Sequence, residues 1–96
     1  MTDIRWSRPA LFDYSQIIER IREANPRAAI RLRDSIKHRL SLLATMPRLG
    51  RMGRVAGTRE LVLSRTPYVV IYELRGPDED IYILRLLHGA QRWPPR

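Results

Sequence analysis

The chain has 96 residues, carries eighteen lysines and arginines against ten acids for a formal net charge of +8, and contains no cysteine. That length fits one small domain spanning 1–96, whose core buries only about two-thirds of the unfolded surface. Without cysteine there is neither a disulfide nor a thiolate metal site to support so small a core. No apolar run approaches the roughly 20 residues of a membrane span, and no signal-peptide core opens the chain, so a cytoplasmic protein is expected.

All the cations except Lys37 are arginine, whose planar, always-charged fork suits phosphates and carboxylates. Their distribution is uneven. Residues 1–58 hold twelve cations and five acids, whereas 59–96 hold six and five; from Ser35 to Arg59 there are six cations and no acid. The plain reading of so much arginine is the base composition of the genome, which would account for the total more readily than for the clustering.

In chain order, Asp3 to Ser7 alternates, with Ile4 and Trp6 on one face, and predicts a short first strand. Ser7 is placed to cap a helix whose first turn accommodates Pro9. Leu11, Tyr14, Ile17, Ile18, Ile21 and Ala24 form its apolar stripe. Asn25-Pro26 breaks the helix and starts another at once, since asparagine caps well and proline suits a first helical position. The second stripe is Ala29, Leu32, Ile36, Leu40 and Leu43. So tight a junction predicts an antiparallel helical hairpin.

Met46-Pro47 ends the second helix, and Arg48 to Gly57, with three glycines and no period, predicts a loop. Strands follow at Leu61–Arg65, Tyr68–Leu74 and Ile81–Leu87, joined by Thr66-Pro67 and by the acidic turn Gly76 to Asp80. The last two are apolar on both faces, as strands central to a sheet are. Trp93 to Arg96 reads as a stiff tail. The expected class is α+β: strand, helix, helix, three strands, with the helical hairpin packed on one face of a small, mainly antiparallel sheet.

This order of elements resembles the RelE/ParE toxin family. The strings that carry the resemblance are Pro47…Gly50-Arg51…Gly57-Thr58-Arg59-Glu60-Leu61, then Pro67 to Tyr72, then Ile83 to Gly89. Together they extend it over nearly the whole chain, Ile4 to Trp93. The resemblance implies a toxin of a type II toxin–antitoxin module, free of cofactor and neutralised by a cognate antitoxin that is acidic and partly disordered when free. RelE-like members are ribosome-dependent mRNA endonucleases, and ParE-like members are poisons of DNA gyrase.

RNA cleavage through the 2′-hydroxyl needs a base, cations for the phosphorane-like charge and an acid for the leaving oxygen. His88 has the right chemistry for acid or base. Arg59, Arg65 and Arg85 supply positive charge, and Glu60 is a possible proton acceptor. The nuclease branch carries a basic residue where the middle strand begins, and this chain has Tyr68. It also places a tyrosine or a histidine–tyrosine pair near its end, where this chain has Leu87-His88-Gly89. These departures favour the ParE-like branch and gyrase as target, with ribosome-bound mRNA the alternative. A non-toxic basic binding protein is the third reading.

Each of these residues also has a plain structural role open to it. Arg59 and Glu60 make an adjacent surface pair at a strand entrance, His88 caps a sheet end, and Tyr68 and Tyr72 are core residues with hydroxyls at the rim. Trp6 is a core residue, and Trp93 packs on the sheet or stacks on a base. The basic stretch is a solvated face, a phosphate-binding surface or the seat of the antitoxin. Partner contacts are expected at Lys37, Arg48, Arg51, Arg54, Gln91, Arg92 and Trp93. No metal site is expected, since His38 and His88 are far apart and no paired-acid spacing occurs.

Overall fold

A computed structural model of the chain describes residues 2–94. The order is β1 (Ile4–Trp6), α1 (Arg8–Ala24), α2 (Pro26–Thr45), β2 (Arg51–Met52), β3 (Arg59–Val62), β4 (Tyr68–Arg75) and β5 (Asp80–His88). The strands form one sheet in the order β1-β5-β4-β3-β2. β1 runs parallel to β5, and the other three pairings are antiparallel. The α+β class is as the sequence predicts, and β4 and β5, apolar on both faces, occupy the centre.

The helix boundaries follow from capping chemistry. Ser7 Oγ accepts the Ala10 N–H at 3.1 Å and itself donates to the Leu84 carbonyl at 2.9 Å, so one side chain starts α1 and ties it to β5. Asn25 serves two helices. Its N–H closes α1 on the Ile21 carbonyl at 2.7 Å, and its Oδ1 opens α2 by accepting the Ala28 N–H at 3.1 Å. An extended backbone at Asn25 (φ −158°, ψ 95°) makes the chain reverse between them, and Pro26 follows where no N–H is missed.

Both helices pack on one face of the sheet. The core joins Ala10 and Ile17 of α1 and Leu32, Ile36, Leu40 and Leu43 of α2 to Val70, Tyr72, Ile81, Ile83 and Leu86. The α2 stripe is buried as its spacing predicts. On α1 the buried line is rotated: Ala10 and Ile17 are buried with Tyr14 and Ile21 half-buried, while Leu11 and Ala24 are exposed. The close hand-over from β1 sets this rotation, because Ser7 is fixed to β5 and dictates which side of the first turn meets the sheet. Trp6 packs edge-on against Tyr14, centroids 5.6 Å apart, in the core role expected of it.

β4 extends the expected strand by one residue and β5 by one residue at each end, and the larger differences from the sequence reading lie between residues 48 and 65. The loop expected over 48–57 contains β2, whose Arg51 and Met52 pair with Glu60 and Arg59 and add a fifth strand to the sheet. The strand expected to run from Leu61 to Arg65 starts earlier and stops at Val62, because a turn follows in which Arg65 takes a left-handed backbone, φ 64°. Alternation continues through Leu63, so composition does not reveal that stop. A register shift between Ile71 and Tyr72 kinks β4 against β5.

Among the described residues no helix is long and apolar enough to cross a membrane. The Pro95 and Arg96 part of the expected stiff tail lies outside the described residues.

Candidate functional site on the open face of the sheet

The face of the sheet turned away from the helices carries the charge. Glu60, Ile71 and Arg85 are successive cross-strand partners on β3, β4 and β5, which puts an acid and an arginine in one row about 10 Å apart, on either side of an apolar residue. Arg51 on β2, the partner of Glu60, extends the row outward.

Glu60 is 3% exposed and is not the surface partner of Arg59 that adjacency in sequence suggests. Neighbours on a strand point to opposite faces. Glu60 accepts instead from Arg54, from the backbone N–H at 3.0 Å, from Nε at 3.1 Å and from Nη2 at 3.2 Å, and from Arg51 Nη2 at 3.3 Å. Burial pushes its carboxyl up, but the Arg54 N–H, the two guanidiniums and the Arg54 charge outweigh burial and hold its pKa below the ordinary value. A carboxylate so saturated stays ionised and has little capacity to take a proton from a substrate.

Arg59 faces the helix side, opposite Tyr72. Its Nη1 donates to the carbonyls of Gly50 at 2.8 Å and Arg48 at 3.3 Å. Tyr72, expected to reach the rim with its hydroxyl, is wholly buried. Its Oη accepts the Gly50 N–H at 2.8 Å and donates to the Pro47 carbonyl at 2.7 Å. Burial raises the Tyr72 pKa, partly offset by the Gly50 N–H and the Arg59 charge. This cross-strand pair therefore clamps residues 47–50, the entry to the basic loop.

Arg85 is held by Asp13 of α1 in a two-pronged pair, Nε to Oδ2 at 2.6 Å and Nη2 to Oδ1 at 2.9 Å. Asp13 Oδ2 also accepts the Leu86 N–H at 3.0 Å, beyond the point where β1 ceases to cover the β5 edge. The hydrogen bond from Asp13 raises the Arg85 pKa against the opposing effect of burial. Sequence reasoning passed over Asp13. The available signal was a lone acid beside the apolar stripe of α1, one step from Tyr14.

The chain end crosses this face. Arg54 Nη1 donates to the Gln91 carbonyl at 3.1 Å, and the Trp93 ring lies 5.8 Å from the Arg85 guanidinium carbon. Trp93 is half-buried, in the packing role expected of it, and its indole N–H is buried without a partner. Val69, Ile71 and Leu87, on this face by alternation, are buried as well. Arg54 thus joins the basic loop, β3 and the tail.

The remaining candidates sit elsewhere. His88 is exposed at the end of β5, its ring edge-on to Tyr68 at 6.0 Å, with Nδ1 accepting the Ala90 N–H at 3.1 Å. Its own N–H donates to the Gln91 side chain at 2.8 Å, the sheet-end role open to it from sequence. Arg65 lies in the β3–β4 turn at that same end. Arg48 pairs with Glu79 of the β4–β5 turn, while Lys37 and Arg92 are exposed. Fold proximity therefore joins Glu60, Arg51, Arg54, Arg85, Gln91 and Trp93, leaves Arg59 on the other face and Arg65 in the β3–β4 turn, and brings His88 to the group through Gln91 alone. Among the described residues, no group of three or more histidine or acidic side chains is arranged to hold a metal ion.

A helical hairpin laid on a five-stranded mixed sheet is the architecture of the RelE/ParE-like toxins. The model of the family described as ParE toxin of type II toxin–antitoxin system, parDE, matches residues 4–93. The chain belongs to that family and is a toxin of a type II toxin–antitoxin system. It is similar to Y4kP of Sinorhizobium fredii, a candidate toxin, at 38% identity over 95% of this chain and 92% of that protein. It is also similar to Toxin RelE2 of Caulobacter vibrioides, at 34% identity over 95% of this chain and 99% of that one. Among solved structures, a chain of the chromosomal ParDE system from P. aeruginosa superposes with a TM-score of 0.78 at 26% identity, covering 92% of this chain and 96% of that chain. A chain of the RelBE2 toxin–antitoxin complex from Mycobacterium tuberculosis shares the fold, with a TM-score of 0.62 at 22% identity over 91% of this chain and 96% of that one.

Proposed function

We propose that this toxin acts in the cytoplasm by inhibiting DNA gyrase through protein contacts, and that a cognate antitoxin holds it inactive. The observation that carries the reading is how the polar groups a nuclease would need are used. Glu60 is saturated by Arg51 and Arg54, Arg85 is paired with Asp13, and Arg59 is turned onto backbone carbonyls of the opposite face. His88 stands at the end of the sheet, edge-on to the Tyr68 ring, with its Nδ1 taken by the Ala90 N–H. General acid–base cleavage needs its base, acid and charge-stabilising groups around one phosphate. Here Glu60 and Arg85 lie in one row of the open face, Arg59 lies on the other face, and His88 and Arg65 lie at the β3–β4 end of the sheet. Tyr68 at the entry of β4, where RelE-like nucleases place a cation, supports the same conclusion, as does the match to the ParE model.

The test is induction of the chain without antitoxin, followed by analysis of both nucleic acids. Intact mRNA together with trapped gyrase–DNA complexes is the expected result. Rapid cleavage within translated codons overturns the gyrase reading in favour of ribosome-dependent nuclease activity. His88→Ala is expected to remain toxic, and loss of toxicity in a folded His88→Ala protein would assign that ring an essential part. Unimpaired growth on induction would leave the third reading, a basic binding protein.

A further inference from the structure

A groove of about 450 Å³ opens on the helix side of the molecule, between α2 and the β3–β4 turn. Ile21, Leu32, Pro67 and Tyr68 give it an apolar lining. Each wall adds a guanidinium and a hydroxyl. Arg31 and Ser35 stand one helical turn apart on α2, and Ser64 and Arg65 are adjacent in the turn opposite. No acidic residue lines the groove, and neither arginine has a carboxylate within 4.0 Å among the described residues.

The turn does not use the polar side chains it presents there. Thr66 closes it: its N–H and Oγ1 donate to the Leu63 carbonyl at 3.1 and 2.9 Å, and Oγ1 accepts the Tyr68 N–H at 3.1 Å. Ser64 and Arg65 take no part. Arg65 is nevertheless held with a left-handed backbone, φ 64°, where glycine or asparagine is less strained than a long side chain. On the helices, Ser15 and Ser41 turn their hydroxyls back onto the Phe12 and His38 carbonyls at 3.0 and 2.6 Å. Ser35, half-buried at the groove, makes no such bond among the described residues. A guanidinium and a hydroxyl left free on each wall, one of them at a strained position, are placed for a ligand.

We propose that the groove binds a small phosphate monoester with a flat apolar body, of the nucleoside monophosphate class. Its phosphate bridges the walls, accepting from Arg31 and Ser35 on one side and from Ser64 and Arg65 on the other, while the base lies against Ile21, Leu32 and Tyr68. Charge and valence favour phosphate over carboxylate. A phosphate monoester carries about −1.5 to −2 charges and three strong acceptor oxygens, enough for two guanidiniums on separate walls. The two oxygens of a carboxylate are satisfied by a single arginine fork. The volume is that of a small-molecule site, and a net charge of +8 draws an anion towards it. The groove lies on the opposite face from the row of Glu60, Ile71 and Arg85, so binding there is independent of the gyrase reading.

The experiment titrates the purified full-length chain calorimetrically with adenosine monophosphate, adenosine and inorganic phosphate. The monophosphate is expected to bind at one site about tenfold or more tighter than either of the others, since each of those meets only half of the groove. Arg65→Gly and Arg31→Gln should each weaken it about tenfold, whereas Arg8→Gln, about 20 Å from Ile21 along α1, should leave it unchanged. Arg65→Gly also relieves the left-handed strain, so its melting temperature should equal or exceed the wild-type value. Should it prove unfolded, Arg31→Gln on the exposed helix surface carries the comparison. Absence of saturable monophosphate binding overturns the proposal. So does an equal loss in Arg8→Gln, which would assign the binding to net charge, and so does inorganic phosphate binding as tightly as the monophosphate. A phosphorylated single-stranded oligonucleotide held through Arg31 and Arg65, with the monophosphate not bound, would assign the groove to a nucleic-acid end and likewise overturn it.

Discussion

Glu60 receives three hydrogen bonds from Arg54, one from the backbone and two from the guanidinium, although the two residues belong to different segments, a strand and a glycine-rich loop. The pair fixes the loop that carries the densest positive charge. Arg54 is about one-third exposed, whereas Arg51 is 62% exposed. Arg54→Ala should therefore cost about 1–3 kcal/mol and Arg51→Ala less than about 1 kcal/mol, measured by urea unfolding. Equal losses would refute this ranking.

The same carboxylate predicts an acid limb. Burial raises its folded pKa, but the hydrogen bonds from Arg54 and Arg51 and the Arg54 charge outweigh it and hold the pKa below the ordinary value of 4.5. The stability it contributes is complete above that ordinary value and is lost as pH falls through the folded pKa. Melting temperature should decline in that window for the wild type, and Glu60→Gln should lower stability at neutral pH while flattening the decline. An unchanged acid limb in Glu60→Gln would place its origin in other groups.

Gly50 and Tyr72 form a second coupled pair. A Cβ at Gly50 would lie 2.7 Å from both Cε1 and Oη of Tyr72, inside van der Waals contact with a fully buried ring. Gly50→Ala should destabilise by about 1–3 kcal/mol through overpacking. Tyr72→Phe should cost a similar amount by leaving the Gly50 N–H and the Pro47 carbonyl without their partner. In the double variant the two losses should fall short of additive, since the missing hydroxyl makes room for the methyl group.

Asp13 holds both the Arg85 guanidinium and the Leu86 N–H, with its side chain only 11% exposed. Asp13→Ala should cost about 2–4 kcal/mol by leaving an unpaired, largely covered guanidinium and an open strand edge. Asp13→Asn should recover part of that loss, because its amide oxygen still accepts a hydrogen bond. Chemical unfolding of the two variants separates these outcomes, and equal losses would show that the acceptor geometry contributes nothing.

Beyond β2 the outer edge of β3 has no strand beside it. Arg39 of α2 covers it, Nη2 donating to the Val62 carbonyl at 3.1 Å, and Val62 is 43% exposed. Charged side chains at open edges suppress strand pairing between copies. Arg39→Ala should change stability by less than about 1 kcal/mol yet raise self-association in light scattering at high concentration. A variant that remains as monodisperse as the wild type would remove this role from Arg39.

The sequence by itself determined the order of the elements apart from β2, the two caps at Ser7 and Asn25, the buried stripe of α2 and the central place of β4 and β5. Each of these follows from short-range rules: side-chain period, proline geometry and the needs of unpaired helix N–H groups. It also carried the family, through ordered strings spread from Pro47 to Gly89. Tertiary structure alone decided the partners of the charged residues. Arg59 and Glu60 are adjacent in the chain and lie on opposite faces, while Asp13 and Arg85, far apart in the chain, share two hydrogen bonds. Local periodicity specifies which face of an element is apolar. Which cation meets which carboxylate depends on register and on how α1 is rotated over β5, and both are set by packing across the whole sheet.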